Sequence, residues 1–261
     1  MDEPKISKPV VIAVCGKGGV GKTSISAVMT RILSGHENNK VLAVDADPAA
    51  GLAGALGFTA ARTVDQIRSE LIERIRQNAG GDRGEIIARM DYEVLEALEE
   101  DRNIAFLAIG RPELEGCYCQ VNRFLKEIIA AVAAGFDFVV IDGEAGVEQI
   151  NRRVMETVTH LVLVSDASVR GLRVAETILG MAAKAVAHEK SGLILNRLRG
   201  PSERERLRIP AAAGILGWIP EDDTVRNFDI AGRNFLELPD CSMMRGVSEF
   251  LEKLGVIPVQ A

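Results

Sequence analysis

The chain has 261 residues, of which 37 are acidic and 31 basic, giving a net charge of −6. Apolar residues make up 47% and charged residues 26%, the composition of a soluble globular protein and not of a disordered or fibrous one. The acidic balance argues against a nucleic-acid partner, no apolar run approaches the roughly 18 residues of a membrane span, and four cysteines are too few for a disulfide scaffold, so a reducing, cytoplasmic location is the default.

The run over residues 10–15 is short and ends at Gly16-Lys17, so it reads as a first strand and not as a signal peptide. Further strand-like runs follow at residues 41–45, 104–109, 136–142, 161–165, 193–196 and 214–218. Most are continuous Val, Ile, Leu and Ala without alternation, as in parallel strands covered on both faces. Between them Ile67, Leu71, Ile72 and Ile75 fall on one helical stripe, and Phe124, Leu125, Ile128, Ile129 and Val132 on another. Residues 169–186 read as a long helix, and residues 63–102 as a charged helical excursion between the second and third strands. Strand and helix in alternation predict an α/β, doubly wound, mostly parallel sheet of about seven or eight strands with helices on both faces. With no repeat, low-complexity tract or Pro/Ser linker, residues 1–261 read as one domain.

Gly16-Lys17-Gly18-Gly19-Val20-Gly21-Lys22-Thr23 fits G-x-x-x-x-G-K-[ST], between a predicted strand and a predicted helix. The glycines let consecutive N–H groups face phosphates, and the helix dipole adds to their pull. In this reading Lys22 reaches the β and γ phosphates, the Thr23 hydroxyl ligates magnesium, and Ser24 borders the nucleotide. The second strand ends in Val44-Asp45-Ala46-Asp47-Pro48, where ligands bind in open α/β sheets. Asp47 is placed to orient the attacking water and Asp45 to support magnesium or its waters. Asp142 ends an apolar strand and suits a water-mediated magnesium ligand. The Gly143-Glu144-Ala145-Gly146 that follows allows a loop that senses the γ-phosphate, while Glu144 itself is as compatible with a surface role.

Lys17 is not required by an ordinary phosphate loop. The string from Lys17 to Thr23 resembles the deviant P-loop of the ATPases related to the nitrogenase iron protein and to the Min and Par positioning proteins. That resemblance implies a homodimer in which Lys17 crosses the interface to the partner's nucleotide. It also implies purine contact by Asn196, with Arg197 beside it, and by the loop after the last strand at Pro220 and Glu221.

Cys117-Tyr118-Cys119 lies in a Gly-flanked loop just before a helix, where thiolates are favoured. One C-x-C supplies two ligands where a soft metal wants four. A twofold dimer would supply the second pair. Cys15 and Cys241 read as structural thiols. With Cys15 to Thr23, Val44 to Pro48 and Asp142 to Gly146, this pair, preceded by Gly116, makes the whole chain similar to the CooC-type nickel-insertion ATPases that mature carbon monoxide dehydrogenase. The resemblance implies ATP and magnesium as cofactors, nickel or zinc held by paired Cys117 and Cys119, and a nickel-enzyme client. Acetyl-CoA synthase is the alternative client.

Two other readings compete. A nitrogenase-type reductase would need one cluster cysteine on each side of the loop after Asp142, and the next cysteine after Cys119 is Cys241. A Min- or Par-type positioning ATPase would want a membrane-seeking C-terminal helix or a basic DNA face. Residues 247–254 are amphipathic but carry Glu249, Glu252 and Lys253, and read as core-packing. The arginines of residues 197–208 are broken by Glu203 and Glu205 and read as a solvated face.

Overall fold

A computed structural model describes residues 8–77, 90–111, 119–143, 154, 158–185 and 188–259. The strands are β1 (Val10–Gly16), β2 (Val41–Asp45), β3 (Glu99–Asp101), β4 (Ile104–Ala108), β5 (Phe138–Asp142), β6 (His160–Ser165), β7 (Lys190–Leu198) and β8 (Ile215–Pro220). They form one sheet in the order β3-β4-β2-β5-β1-β6-β7-β8, parallel except for β3. The doubly wound architecture and the strand number agree with the sequence expectation.

Alternation along β1 divides the core. Val11, Ala13 and Cys15 face one layer, and Ile12 and Val14 the other. The first layer is covered by α3 (Val64–Gln77), α4 (Met90–Glu96), α5 (Cys119–Ala133) and α6 (Val169–Ala185). The second is covered by α1 (Lys22–Leu33), α2 (Gly51–Leu56), α8 (Asp223–Ile230) and α9 (Ser242–Leu254). Ile67, Leu71 and Ile72 on α3, and Leu125, Ile128 and Ile129 on α5, are buried as their spacing predicts. On α9 the apolar stripe Met243, Val247, Phe250, Leu251 and Leu254 is spent in the core. Among the described residues no helix is long and apolar enough to cross a membrane.

Two elements differ from the sequence expectation. The excursion over residues 63–102 is not helical throughout, because Glu99-Glu100-Asp101 forms β3, antiparallel to β4 through a tight turn at Arg102 (φ +55) and Asn103. Three acids show no apolar alternation, and a charged edge strand of this kind blocks further pairing. Glu99 also ties down the chain after α2, accepting from Thr59 N (2.9 Å) and Ala61 N (2.8 Å). The second difference lies in β7, which does not end at Asn196 but runs on to Leu198 past an irregularity. α7 (Pro201–Arg206) follows, and the basic stretch is partly engaged: Arg204 stacks 3.9 Å over the Trp218 ring, and Arg199 lies 3.4 Å from Glu221.

Candidate active site

Parallel register brings the carboxyl ends of β1, β2, β5, β6 and β7 to one edge of the sheet, where crossover helices leave a crevice. β1 sits where the chain changes direction, with β5 on one side and β6 on the other. Gly16 ends β1 at φ +150, pressed so closely on β6 that a Cβ would collide with the Val164 carbonyl. At Gly21 (φ +92) a Cβ would lie 2.5 Å from Asn196 Nδ2. Both positions therefore demand glycine. Gly21 caps α1 without a side-chain hydrogen bond, and the first turn of α1 carries no acid. The unpaired N–H groups of that turn and the helix dipole therefore face the loop, an arrangement suited to an anion. Lys22 lies in the same turn, buried at 7% exposure.

Asp45 and Asp142 are neighbours across β2 and β5, and both are buried. Asp142 accepts from Thr23 Oγ1 (2.7 Å) and Ser26 Oγ (3.1 Å). Asp45 accepts from Leu52 N (2.8 Å) and Asp47 N (3.2 Å). Burial, then the charge of Asp142, pushes the Asp45 carboxyl up to about 7. Burial pushes Asp142 up to about 6 against the two hydroxyls and Lys22, which pull it down. Two carboxylates buried side by side are costly without a positive partner. A hard dication would relieve that cost, and the donors here are oxygens. Thr23, Asp142 and Asp45 therefore fit magnesium by charge and by chemistry. Asp47, half-buried, holds the turn before α2, its Oδ1 accepting from Ala49 N at 2.9 Å and its carbonyl from Ala50 N at 3.0 Å.

Lys17 Nζ lies 3.7 Å from Oδ2 of Asp166, in the loop after β6. Partial burial opposes ionisation of Asp166, but hydrogen bonds from Ser168 and the charge of Lys17 hold its carboxyl below the usual range. Sequence reasoning missed Asp166. The signal was an acid directly after an apolar strand, the pattern that had marked Asp142.

Ser24, Asn196, Arg197, Pro220 and Glu221 line one cleft of about 220 Å³, so the residues expected around the base come together. Asn196 is 1% exposed, and its amide is engaged with the phosphate loop, Nδ2 donating to Val20 O at 2.9 Å. Asp222 also lines the cleft and was not foreseen. Its Oδ1 caps α8 by accepting from Thr224 N (2.9 Å), and its Oδ2 accepts from Met243 N (3.1 Å) at the start of α9. Asp-Asp-Thr before an apolar-periodic stretch was the available signal for that cap.

Of the cysteine pair, Cys117 lies outside the described residues, as does the loop from Glu144 to Gly146. Cys119 opens α5, and its side chain is outside the description. Among the described residues no group of three or more His, Cys, Asp and Glu is arranged to hold a metal. Cys15 and Cys241 are buried free thiols. Burial pushes Cys15 up to about 12, which makes it an inert core residue.

Comparison with known proteins extends this geometry. Residues 11–235 match the CobQ/CobB/MinD/ParA nucleotide binding domain. An uncharacterized ATP-binding protein of Methanocaldococcus jannaschii is 34% identical over 94% of this chain and 98% of its own length. The carbon monoxide dehydrogenase accessory protein CooC of Rhodospirillum rubrum is 31% identical over 88% of this chain and 91% of its own. Among solved structures, the septum site-determining protein MinD of Pyrococcus horikoshii complexed with Mg-ADP superimposes with a TM-score of 0.63. It is 22% identical and covers 95% of this chain and 96% of that one.

Proposed function

The chain belongs to the CobQ/CobB/MinD/ParA nucleotide-binding family, and from that premise we propose that it is a magnesium-dependent ATPase, a single-domain switch that dimerises on ATP and handles nickel for the maturation of a nickel enzyme. The observation that carries the ATPase reading is the buried Asp142–Asp45 pair with Thr23 against it and Lys22 beside it, at the mouth of a glycine loop whose helix lacks any side-chain cap. The reaction is attack of water on the γ-phosphorus with cleavage of the bond to the β-phosphate oxygen. Thr23, Asp142 and Asp45 are the residues that would hold magnesium, which would supply charge neutralisation on the phosphates. Lys22 stabilises the charge that spreads over the transferred group. Asp47, at the turn after β2, orients the water, and Lys17 leaves Asp166 to meet the partner's nucleotide.

Nickel is cargo in this reading. Similarity to CooC along most of both chains supports it, as does the Cys117-x-Cys119 spacing, which gives four thiolates when two protomers meet. The client is carbon monoxide dehydrogenase or acetyl-CoA synthase. A Min- or Par-type positioning role is the second reading, since the family includes such ATPases. Against its membrane-bound form stands α9, whose apolar face is already packed in the core. Metal titration with ADP and with a non-hydrolysable ATP analogue tests the proposal. It expects one nickel or zinc per dimer, lost in Cys117→Ala and in Cys119→Ala alike. One metal per monomer, or unchanged affinity in either variant, rejects the shared site.

A further inference from the structure

We propose that Arg197 is a positioning residue for phosphate binding, acting through the glycine loop from a bulge in β7. The inference rests on the nucleotide reading above and adds a part to it. β7 and β8 pair residue for residue up to Leu195↔Trp218 and resume at Leu198↔Pro220. Three steps on β7 thus face two on β8, and the strand must absorb one extra residue. Arg197 sits there at φ +61, a left-handed conformation unfavourable to any residue with a Cβ. Bulges beside active sites commonly re-aim side chains, and this one aims two consecutive residues at the same target.

Arg197 Nη1 donates to the Gly19 carbonyl at 3.1 Å, and Asn196 Nδ2 donates to the Val20 carbonyl at 2.9 Å. The backbone N–H of Arg197 in turn donates to Asn196 Oδ1 at 3.0 Å, so the pair is held as a unit. In a trans peptide the C=O and N–H point in opposite directions. Drawing the Gly19 and Val20 carbonyls toward β7 therefore turns the next N–H groups, those of Val20 and Gly21, away from it. Fixed in that sense, the two N–H groups are oriented donors for an anion. A glycine-rich loop without the two anchors would have to be ordered by the ligand itself, at the expense of affinity. Gly21 has no room for a side chain against Asn196 Nδ2, so loop and bulge fit as one piece.

The test compares Arg197→Ala and Arg197→Gly in the full chain. Glycine relieves the positive φ, so the second variant keeps its fold while losing the guanidinium. Amide hydrogen exchange is followed in the nucleotide-free protein, and calorimetric titration uses ADP, inorganic pyrophosphate and adenosine. In both variants the amides of residues 18–21 exchange faster, while those of β1 and β5 do not change. Pyrophosphate and ADP bind about five- to tenfold more weakly, the ratio carried by one hydrogen bond, and adenosine binds within about twofold of wild type. An arginine that touched the phosphates directly would leave exchange in the nucleotide-free protein unaltered. One that touched the base or ribose would weaken adenosine and leave pyrophosphate unchanged. Either result overturns the proposal while the nucleotide reading stands. Wild-type protein that binds neither ADP nor pyrophosphate rejects that reading, and the role of Arg197 with it.

Discussion

A single ammonium, that of Lys22, stands at the head of α1 with a buried stem, and the cluster around Asp142 is built against it. Because Lys22 meets charge that grows in the transition state, Lys22→Ala is expected to lower ATP turnover by about a hundredfold or more while the far-ultraviolet circular dichroism stays unchanged. A folded variant with retained turnover would reject Lys22 as the phosphate lysine. Asp142 offers a different readout. Its two oxygens accept from two hydroxyls, and an amide in its place keeps one acceptor and loses the charge. Asp142→Asn should therefore abolish most of the gain in ADP affinity that magnesium brings, with affinity in EDTA little changed. Equal magnesium dependence in variant and wild type, measured by calorimetry, would remove Asp142 from the metal site.

At the scale of elements, helix α9 is seated by two glycines that face one ring. A Cβ on Gly192 of β7 would lie 2.6 Å from Phe250 Cζ, and one on Gly217 of β8 would lie 2.7 Å from Phe250 Cδ2. Phe250 is itself fully buried. Gly217→Ala should thus overpack the interface and cost about 1–3 kcal/mol, whereas Phe250→Ala leaves a void and costs about 3–5 kcal/mol. Urea unfolding of the two single variants and the double variant checks the pairing, because neighbours that share one space do not add. A double variant as unstable as the sum of the two singles would mean that ring and glycines do not share that space. The same scale explains two misread segments. β3 is set by its hairpin turn and its partner strand, and β7 overruns Asn196 because β8 carries it onward.

For the whole molecule, pH and nucleotide are the two variables that matter. His160 begins β6 with its Nδ1 2.8 Å from Thr159 Oγ1 and is buried. Burial holds its imidazole below the ordinary value, the charge of Lys190 adds to this, and Glu189 and the Leu254 carbonyl oppose it. The unfolded chain therefore takes up a proton near pH 6.5 that the folded chain refuses until lower pH. The unfolded state binds more protons in that window, so this contribution to stability falls as pH drops below about 6.5. Comparing denaturant midpoints of wild type and His160→Gln between pH 7.5 and 5 isolates it from the carboxylates that titrate in the same range. Parallel curves would show that His160 has no part in it. Nucleotide acts through assembly in the proposed switch. ATP analogue, unlike ADP, should shift sedimentation toward a dimer, and Lys17→Ala should weaken that shift, because a ligand moves an equilibrium only by its differential affinity for the two states. Identical mass distributions with ADP, analogue and no nucleotide would end the switch model.

The sequence by itself determined what is local or periodic. Glycines at fixed spacing mark a loop that only they can adopt, continuous apolar runs mark strands buried on both faces, and the 3.6-residue stripes of α3 and α5 mark their covered sides. Strand-end acids were legible for the same reason, and so the glycine loop after β1 and the acids that end β2 and β5 could be expected at those positions. Only the tertiary structure decided how these pieces meet. Thr23 and Asp142 are 119 positions apart and Asn196 and Val20 are 176 apart, distances that no local pattern spans. Parallel pairing brings Asp45 level with Asp142, the order of strands places Asp166 beside Lys17, and a one-residue mismatch between β7 and β8 turns Arg197 onto Gly19. Register is a property of two strands together, and neither strand encodes it alone.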